Sequence, residues 1–293
     1  MKTSLRIASH LGLLSLLVPA TMGADWKPHA GDRLRFELAM STNVKYDING
    51  RLIETRGNST LDLISVVKNV AANGNVLVTV SIDRLRTSTQ SSSSKSEFDT
   101  NQKLSAASSP LAPFYMKTIG ASYTATISPA GEVLELKIPA SLTESLSGTP
   151  FLGPNQVSSL QSIESTLVSP ETIQALVGWL IPRKATAANP IELPLGQLRF
   201  AITNRRISPE VGVRVENETE AVVKPTPGVP IKVNVDRQKG HGVQIFDASN
   251  GLLTDSSFEQ SADLTIGNEG RTFHQTIELT ARLRCLGLEP VKP

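Results

Sequence analysis

Apolar and polar residues alternate over long stretches of this chain, which is the pattern of β-strands with one covered face. In the first such stretch Leu34, Phe36, Leu38 and Met40 alternate with charged and small residues. The same period of two returns at residues 76–82, 198–202, 211–215, 231–235 and 273–283. The pattern predicts a mainly β protein whose strands lie on both sides of the middle of the chain.

Glycine-containing turns join several of these apolar segments. They occur at Asn49-Gly50, Asn73-Gly74, Ala130-Gly131 and Asn250-Gly251. Asn-Gly favours the positive φ angles of a type I′ turn, whose twist matches that of two antiparallel strands. The turns therefore predict hairpins and meanders, arranged as one or more curved antiparallel sheets.

The hydrophobic period becomes helical between about residues 139 and 183. Four apolar residues, Ile173, Leu176, Val177 and Leu180, share one face of a helix that begins at Pro170 behind the N-cap candidate Ser169. A helix of this length is marginal alone in water, so its apolar face must pack on something. We therefore expect a central helical insert that packs on the sheet. Weaker helical patterns cover residues 157–167 and 111–119.

Residues 86–102 are rich in serine and poor in apolar side chains, with four consecutive serines at 91–94. Such a composition is typical of a mobile loop or of the tip of a long hairpin. The sequence leaves these two alternatives open.

The first 23 residues have the pattern of a secretory signal peptide. Lys2 and Arg6 precede an apolar run at residues 11–18, and small residues follow it. We expect cleavage after Ala20, Gly23 or Ala24, with the last two sites favoured, and an exported protein that is periplasmic or extracellular. The alternative is an uncleaved membrane anchor. No later apolar run approaches the roughly 20 residues of a membrane-spanning helix.

Charge argues against nucleic acid as a partner. The chain has 29 Lys and Arg and 27 Asp and Glu, and the leader contains two of the basic residues and none of the acidic ones. The mature chain is therefore neutral and has no long basic run that could bind along a phosphate backbone.

We expect a β half at residues 24–138, the helical insert at 139–183 and a second β half at 184–293, with the two halves forming one domain or two.

No familiar chemical site is visible in the sequence. His29, His241 and His274 lie outside the spacings of zinc sites, and no nucleophile elbow or phosphate-binding loop follows a strand. We therefore predict no catalytic residues, no cofactor and no metal. The single cysteine, Cys285, alternates with arginines and is expected to be a buried, inert thiol. Three acidic residues that flank turns, Asp47, Asp247 and Asp255, are expected to accept backbone N–H groups.

Four segments resemble an uncharacterised family of exported bacterial proteins, known only as a domain of unknown function. They are Gly31-Asp-Arg-Leu-Arg-Phe-Glu-Leu38, Ser128-Pro-Ala-Gly-Glu-Val133, Ile191-Glu-Leu-Pro194 and Gly242-Val-Gln-Ile-Phe-Asp247. These are turn and strand residues, so the resemblance implies export and a β-rich fold. It implies no substrate and no catalytic residue.

These observations favour a non-enzymatic binding or structural role in the cell envelope. A curved sheet covered by helices is also the arrangement of periplasmic lipoprotein carriers, which is an analogy of fold alone. On that analogy Ile173, Leu176, Val177 and Leu180 line a site for an apolar small molecule or envelope component. The alternatives are a helix that only fills the core, and a hydrolase outside the cytoplasm that uses paired carboxylates.

Overall fold

We describe a computed structural model of the chain. The described residues are 27–48, 50–92, 95–102, 112–129, 132–139, 191–195, 198–208, 213–223, 231–268 and 271–289.

One antiparallel sheet contains every strand of these segments. The strands are β1 (Arg33–Ile48), β2 (Arg51–Val70), β3 (Val76–Ser91), β4 (Lys95–Asp99), β5 (Ser122–Ile127), β6 (Val133–Lys137), β7 (Ile191–Leu195), β8 (Leu198–Ser208), β9 (Val213–Val223), β10 (Ile231–Phe246), β11 (Leu253–Asn268) and β12 (Arg271–Glu289). Their order is β6-β5-β3-β2-β1-β12-β11-β10-β9-β8-β7, with β4 paired to β3. The fold is therefore mainly β and antiparallel, as the alternation predicts.

The first and last of these strands pair at the centre of the sheet. The β1–β12 ladder runs from Arg33 opposite Glu289 to Asp47 opposite His274, with an irregularity after Arg35. From this central pair the N-terminal strands extend to one side and the C-terminal strands to the other. Strands from both predicted β halves thus share one sheet, while the division into domains stays a prediction.

The Asn-Gly turns are confirmed as hairpin turns, but they are not all of one type. Ile48 pairs directly with Arg51, which leaves the two-residue loop expected of type I′, and Gly50 has φ 77°. Gly74 (φ 81°) and Gly251 (φ 69°) instead lie in the longer loops 71–75 and 247–252. In each turn glycine adopts a positive φ without strain. The length of the loop instead depends on where the pairing of the two strands ends. The turn at Gly131 lies outside the described residues.

The serine-rich segment is a long hairpin. β3 continues to Ser91, and β4 pairs with it from Lys95. Thr87 and Phe98 face each other across the two strands, and both are buried. Of the two alternatives, the hairpin is therefore confirmed. β-branched threonines and one aromatic residue favour strand structure here, whereas serine alone would not.

A short helix, α1 (Ala112–Thr118), confirms the helical pattern at residues 111–119. Its Tyr115 is fully buried, and the ring lies 5.2 Å from that of Phe98. The predicted insert at 139–183, with its helix at 170–181, lies outside the described residues and stays a prediction. Among the residues that we describe, no helix is long and apolar enough to span a membrane.

The core lies on one face of the sheet, which we call the apolar face. Leu61, Leu38 and Leu283 stand side by side on β2, β1 and β12, and none is more than 1% exposed. Burying a leucine side chain stabilises a fold by about 1.5–3 kcal/mol. The residues between them on each strand point to the opposite side, which we call the polar face. The alternation predicted from the sequence thus decides which side of the sheet is buried.

Candidate functional site

The residues predicted to line an apolar-ligand site, Ile173, Leu176, Val177 and Leu180, lie outside the described part of the chain. The structure therefore neither brings them together nor separates them. It does describe the apolar face on which their helix is predicted to pack.

One end of the apolar face, near the β1–β2 turn, is only half-buried, and we call it the apolar end. The strand pairing places Tyr46, Gln275, Leu264 and Val235 in one row across β1, β12, β11 and β10. Leu264 is buried, whereas the other three are half-buried. The next row continues the surface with three more half-buried apolar residues, Phe273, Ile266 and Val233.

Tyr46 and Gln275 bring polar groups to this surface, and Tyr46 is the ionisable one. Its hydroxyl is buried and makes no hydrogen bond in the described part of the structure. Burial raises the pKa of Tyr46 to about 12, because the phenolate form would be poorly solvated there. The phenol therefore stays neutral over the physiological pH range.

The β10 side of the apolar face carries three glutamines that sequence reasoning missed. Gln244 and Gln260 are 2% and 3% exposed, and neither Oε1 atom has a hydrogen-bond donor among the described residues. Gln238 Oε1 accepts from the Ala221 N–H at 2.5 Å and lies 3.4 Å from Gln260 Nε2. These glutamines occupy inward-facing positions of their strands, and this could have been read from the sequence. A polar residue at such a position is unusual, because a buried polar group normally needs a hydrogen-bond partner.

The polar face carries a network of arginines and carboxylates on β1 to β4. The Arg86 guanidinium lies 3.1 Å from Asp62 and 3.5 Å from Glu37. Arg84 binds Asp99 through two nitrogens, at 2.6 and 3.0 Å. This hydrogen-bonded guanidinium lowers the pKa of Asp99 below its usual range.

A cavity of about 720 Å³ lies on the polar face near the middle of the sheet, and we call it the polar groove. Six neighbouring strands line it: β9, β10, β11, β12, β1 and β2. Contact with six adjacent strands requires this face to be concave here, as the twist of a large sheet produces. Arg282 binds Asp255 in the groove through two nitrogens, with the shortest contact at 2.7 Å.

Among the described residues, the two carboxylates of the polar groove are not spaced as the hydrolase alternative requires. Asp255 and Glu259 both line the polar groove, but they lie four residues apart on β11, about 13 Å along an extended strand. Glycosidases place their two carboxyl groups about 5–9.5 Å apart, and Asp255 is also held by Arg282. Glu37 and Asp62 do face each other on β1 and β2, but both bind Arg86 and neither lines the groove.

The histidines and the cysteine show no catalytic arrangement. His29, His241 and His274 are exposed. His274 Nδ1 lies 3.2 Å from Thr265 Oγ1, which in turn donates to Asp236. No group of three potential metal ligands occurs within the described segments. Cys285 is half-buried, and burial raises the pKa of its thiol, which makes the reactive thiolate scarce.

Comparisons with known proteins give distant structural likenesses. No family model matches the chain, and no curated protein matches it. A structure of lipid–protein interactions in lipovitellin is similar over 91% of this chain at 11% identity and a TM-score of 0.49. The chain spans 26% of the lipovitellin chain.

Two bacterial structures align with this chain over most of their length, at low TM-scores. A DUF1329 family protein from Desulfovibrio piger has 11% identity and a TM-score of 0.17, over 89% of this chain and 88% of the other. An outer membrane lipoprotein-sorting protein domain from Vibrio parahaemolyticus has 9% identity and a TM-score of 0.16, over 86% and 84%. All these identities are low, and the function has to be argued from the residues of this chain.

Proposed function

We propose that this chain is an exported, non-enzymatic binding protein of the cell envelope that holds an apolar ligand against the apolar face of its sheet. The observation that carries the proposal is the half-buried apolar end. Val233, Val235, Ile266 and Phe273 extend the buried core outward on three adjacent strands. Contiguous apolar surface that is still partly accessible marks ligand and partner sites.

The predicted helix supplies the second wall of this site. Ile173, Leu176, Val177 and Leu180 form its apolar side, and the apolar face of the sheet offers an apolar surface on which it can pack. An apolar molecule between these two surfaces would be removed from water on both sides, at about 25 cal/mol for each Å² buried. The neutral phenol of Tyr46 adds a hydroxyl to the sheet side without adding a charge.

Binding of a fluorescent fatty-acid analogue tests this function. We expect saturable binding to the wild-type protein, and at least about a tenfold loss in Val235→Asp, because a carboxylate on the apolar end must be desolvated by the ligand. Asn234→Asp is the matched control, since it places the same group on the exposed neighbour in β10 and should bind as the wild type does.

Thermal melting of both variants shows whether they are folded. Absence of saturable binding to the wild type would contradict the proposal, and so would equal binding by the two folded variants.

Export is tested separately by mass spectrometry of the extracytoplasmic fraction. We expect a chain that begins after Ala20, Gly23 or Ala24, because the apolar run at 11–18 has the length of a signal-peptide core. A protein that keeps Met1 would contradict cleavage, and a protein found only in the cytoplasmic fraction would contradict export.

A further inference from the structure

The polar groove lies on the opposite side of the sheet from the apolar face and has the size of a small-molecule site. Its volume of about 720 Å³ falls within the usual range of about 300–1,000 Å³ for such sites. Short side chains line its centre, namely Ala39, Ser41, Ser257 and Thr280. They leave room between longer neighbours and supply hydroxyl groups that can donate or accept hydrogen bonds.

The charges in the groove are distributed unevenly. Arg282 and Asp255 cancel each other in their bidentate pair, which also fixes the guanidinium in place. Arg214 stands in the same row as Asp255, two strands away on β9. It is exposed and forms no ion pair among the described residues. One end of the groove therefore presents a guanidinium that has no ion-pair partner among the described residues, with Glu216 two residues away on the same face of β9.

Apolar surface lies beside this cation. Ile245 separates Arg214 from Asp255 in the row, and its neighbour on the same face of β10 is Val243. Ile245 is 36% exposed and lies next to the last residue of β10. The groove thus joins a cationic group to a small apolar surface, and Glu259 lies at its other end.

We propose that the polar groove binds a small amphipathic anion, in which a carboxylate or phosphate group is attached to a short apolar chain. Arg214 holds the anionic group, because a guanidinium offers two parallel N–H donors to such oxygens. Arg282 lies three strands away on β12 and stays bound to Asp255. Val243 and Ile245 contact the apolar part. This site does not depend on the proposed function, because it uses the other face of the sheet.

Titration calorimetry with three octyl compounds tests the proposal. Octanoate carries the carboxylate, octyl phosphate carries the phosphate, and octanol is the uncharged control. We expect saturable binding of one or both anions, at least about tenfold tighter than octanol, which is the usual effect of one charge-assisted hydrogen bond. The stronger of the two anions identifies the headgroup. Amide chemical shifts should change at Ala39, Ser257 and Thr280.

Two variants assign the binding to the cation. Arg214→Gln should weaken binding about tenfold by removing that interaction. Lys239→Gln removes the same charge from an exposed position on the same face of β10, outside the groove, and should leave binding unchanged. Failure of both anions to saturate, equal binding of octanol, shift changes confined to Val235 and Ile266 at the apolar end, or wild-type binding by Arg214→Gln would each overturn the proposal.

Discussion

Gly242 on β10 lies directly opposite Phe258 on β11, in closer contact than any side chain at position 242 would allow. A Cβ atom there would come within 2.6 Å of the Ser257 carbonyl oxygen and 3.0 Å of the Phe258 Cβ. Phe258 is 2% exposed and belongs to the core. The glycine thus lets the core aromatic residue approach the neighbouring strand.

Gly242→Ala should therefore destabilise the protein by about 1–3 kcal/mol, the usual cost of forcing extra volume into a packed site. Gly267→Ala on β11 is the matched control, because a Cβ there would meet its nearest atom at 3.9 Å. We expect the control to change the free energy of unfolding by less than about 0.5 kcal/mol. Denaturant unfolding of both variants measures the difference, and equal stabilities would contradict the packing at Gly242.

The turn before β11 depends on the positive φ of Gly251. Gly251→Val should destabilise the protein by more than about 1 kcal/mol, because a β-branched residue is strained at φ 69°. Gly251→Asn should cost less, since asparagine tolerates this conformation. The melting temperatures of the two variants give the comparison. A valine variant as stable as the asparagine variant would show that the turn does not require this backbone conformation.

The Arg84–Asp99 pair makes stability sensitive to acid. The hydrogen bonds from Arg84 lower the pKa of Asp99 in the folded state below its unfolded value of about 3.9. The pair therefore stabilises the fold fully above about pH 4, and the contribution is lost as the pH falls through the folded pKa. We expect Asp99→Asn to show a weaker loss of stability between about pH 5 and pH 2 than the wild type.

Arg84→Gln should likewise flatten the dependence of stability on pH in this range, because it removes the interaction that lowers the pKa of Asp99 most. The double variant should resemble either single one, since both remove one interaction. An acid-side curve unchanged in both single variants would show that this pair does not couple folding to protonation.

Tyr46 makes stability sensitive to alkali. Burial raises its pKa to about 12 in the folded state, above the ordinary value of about 10. Its contribution is therefore complete below about pH 10 and is lost as the pH rises through the folded pKa. Tyr46→Phe removes the ionisable group, so its stability should fall less than that of the wild type between about pH 10 and pH 12. The denaturant midpoints of both proteins, measured across this pH range, test the prediction. Midpoints that fall equally with pH in the two proteins would contradict a buried phenol at position 46.

Local patterns were enough to predict three central strands of the sheet and their buried sides. The period of two in β1, β3 and β12 identifies the residues of the apolar face, because successive side chains of a strand point to opposite faces. Asn-Gly dipeptides likewise locate hairpins, since few other residues adopt positive φ without strain. The loop lengths at Gly74 and Gly251 were not predictable in the same way, because they depend on where pairing between whole strands ends.

Only the tertiary structure decided which distant residues become neighbours in the sheet. Arg33 pairs with Glu289 across almost the whole chain, and no local pattern specifies so distant a partner. The same holds for the polar groove, where Arg214, Asp255 and Arg282 come from three strands whose neighbours are set by sheet order. Strand propensity and hydrophobic periodicity are properties of a few neighbouring residues. The order of the strands instead depends on burying one continuous apolar face, which involves the whole chain. The sequence therefore determined which residues face the core, and the long-range pairing determined which polar residues share a site.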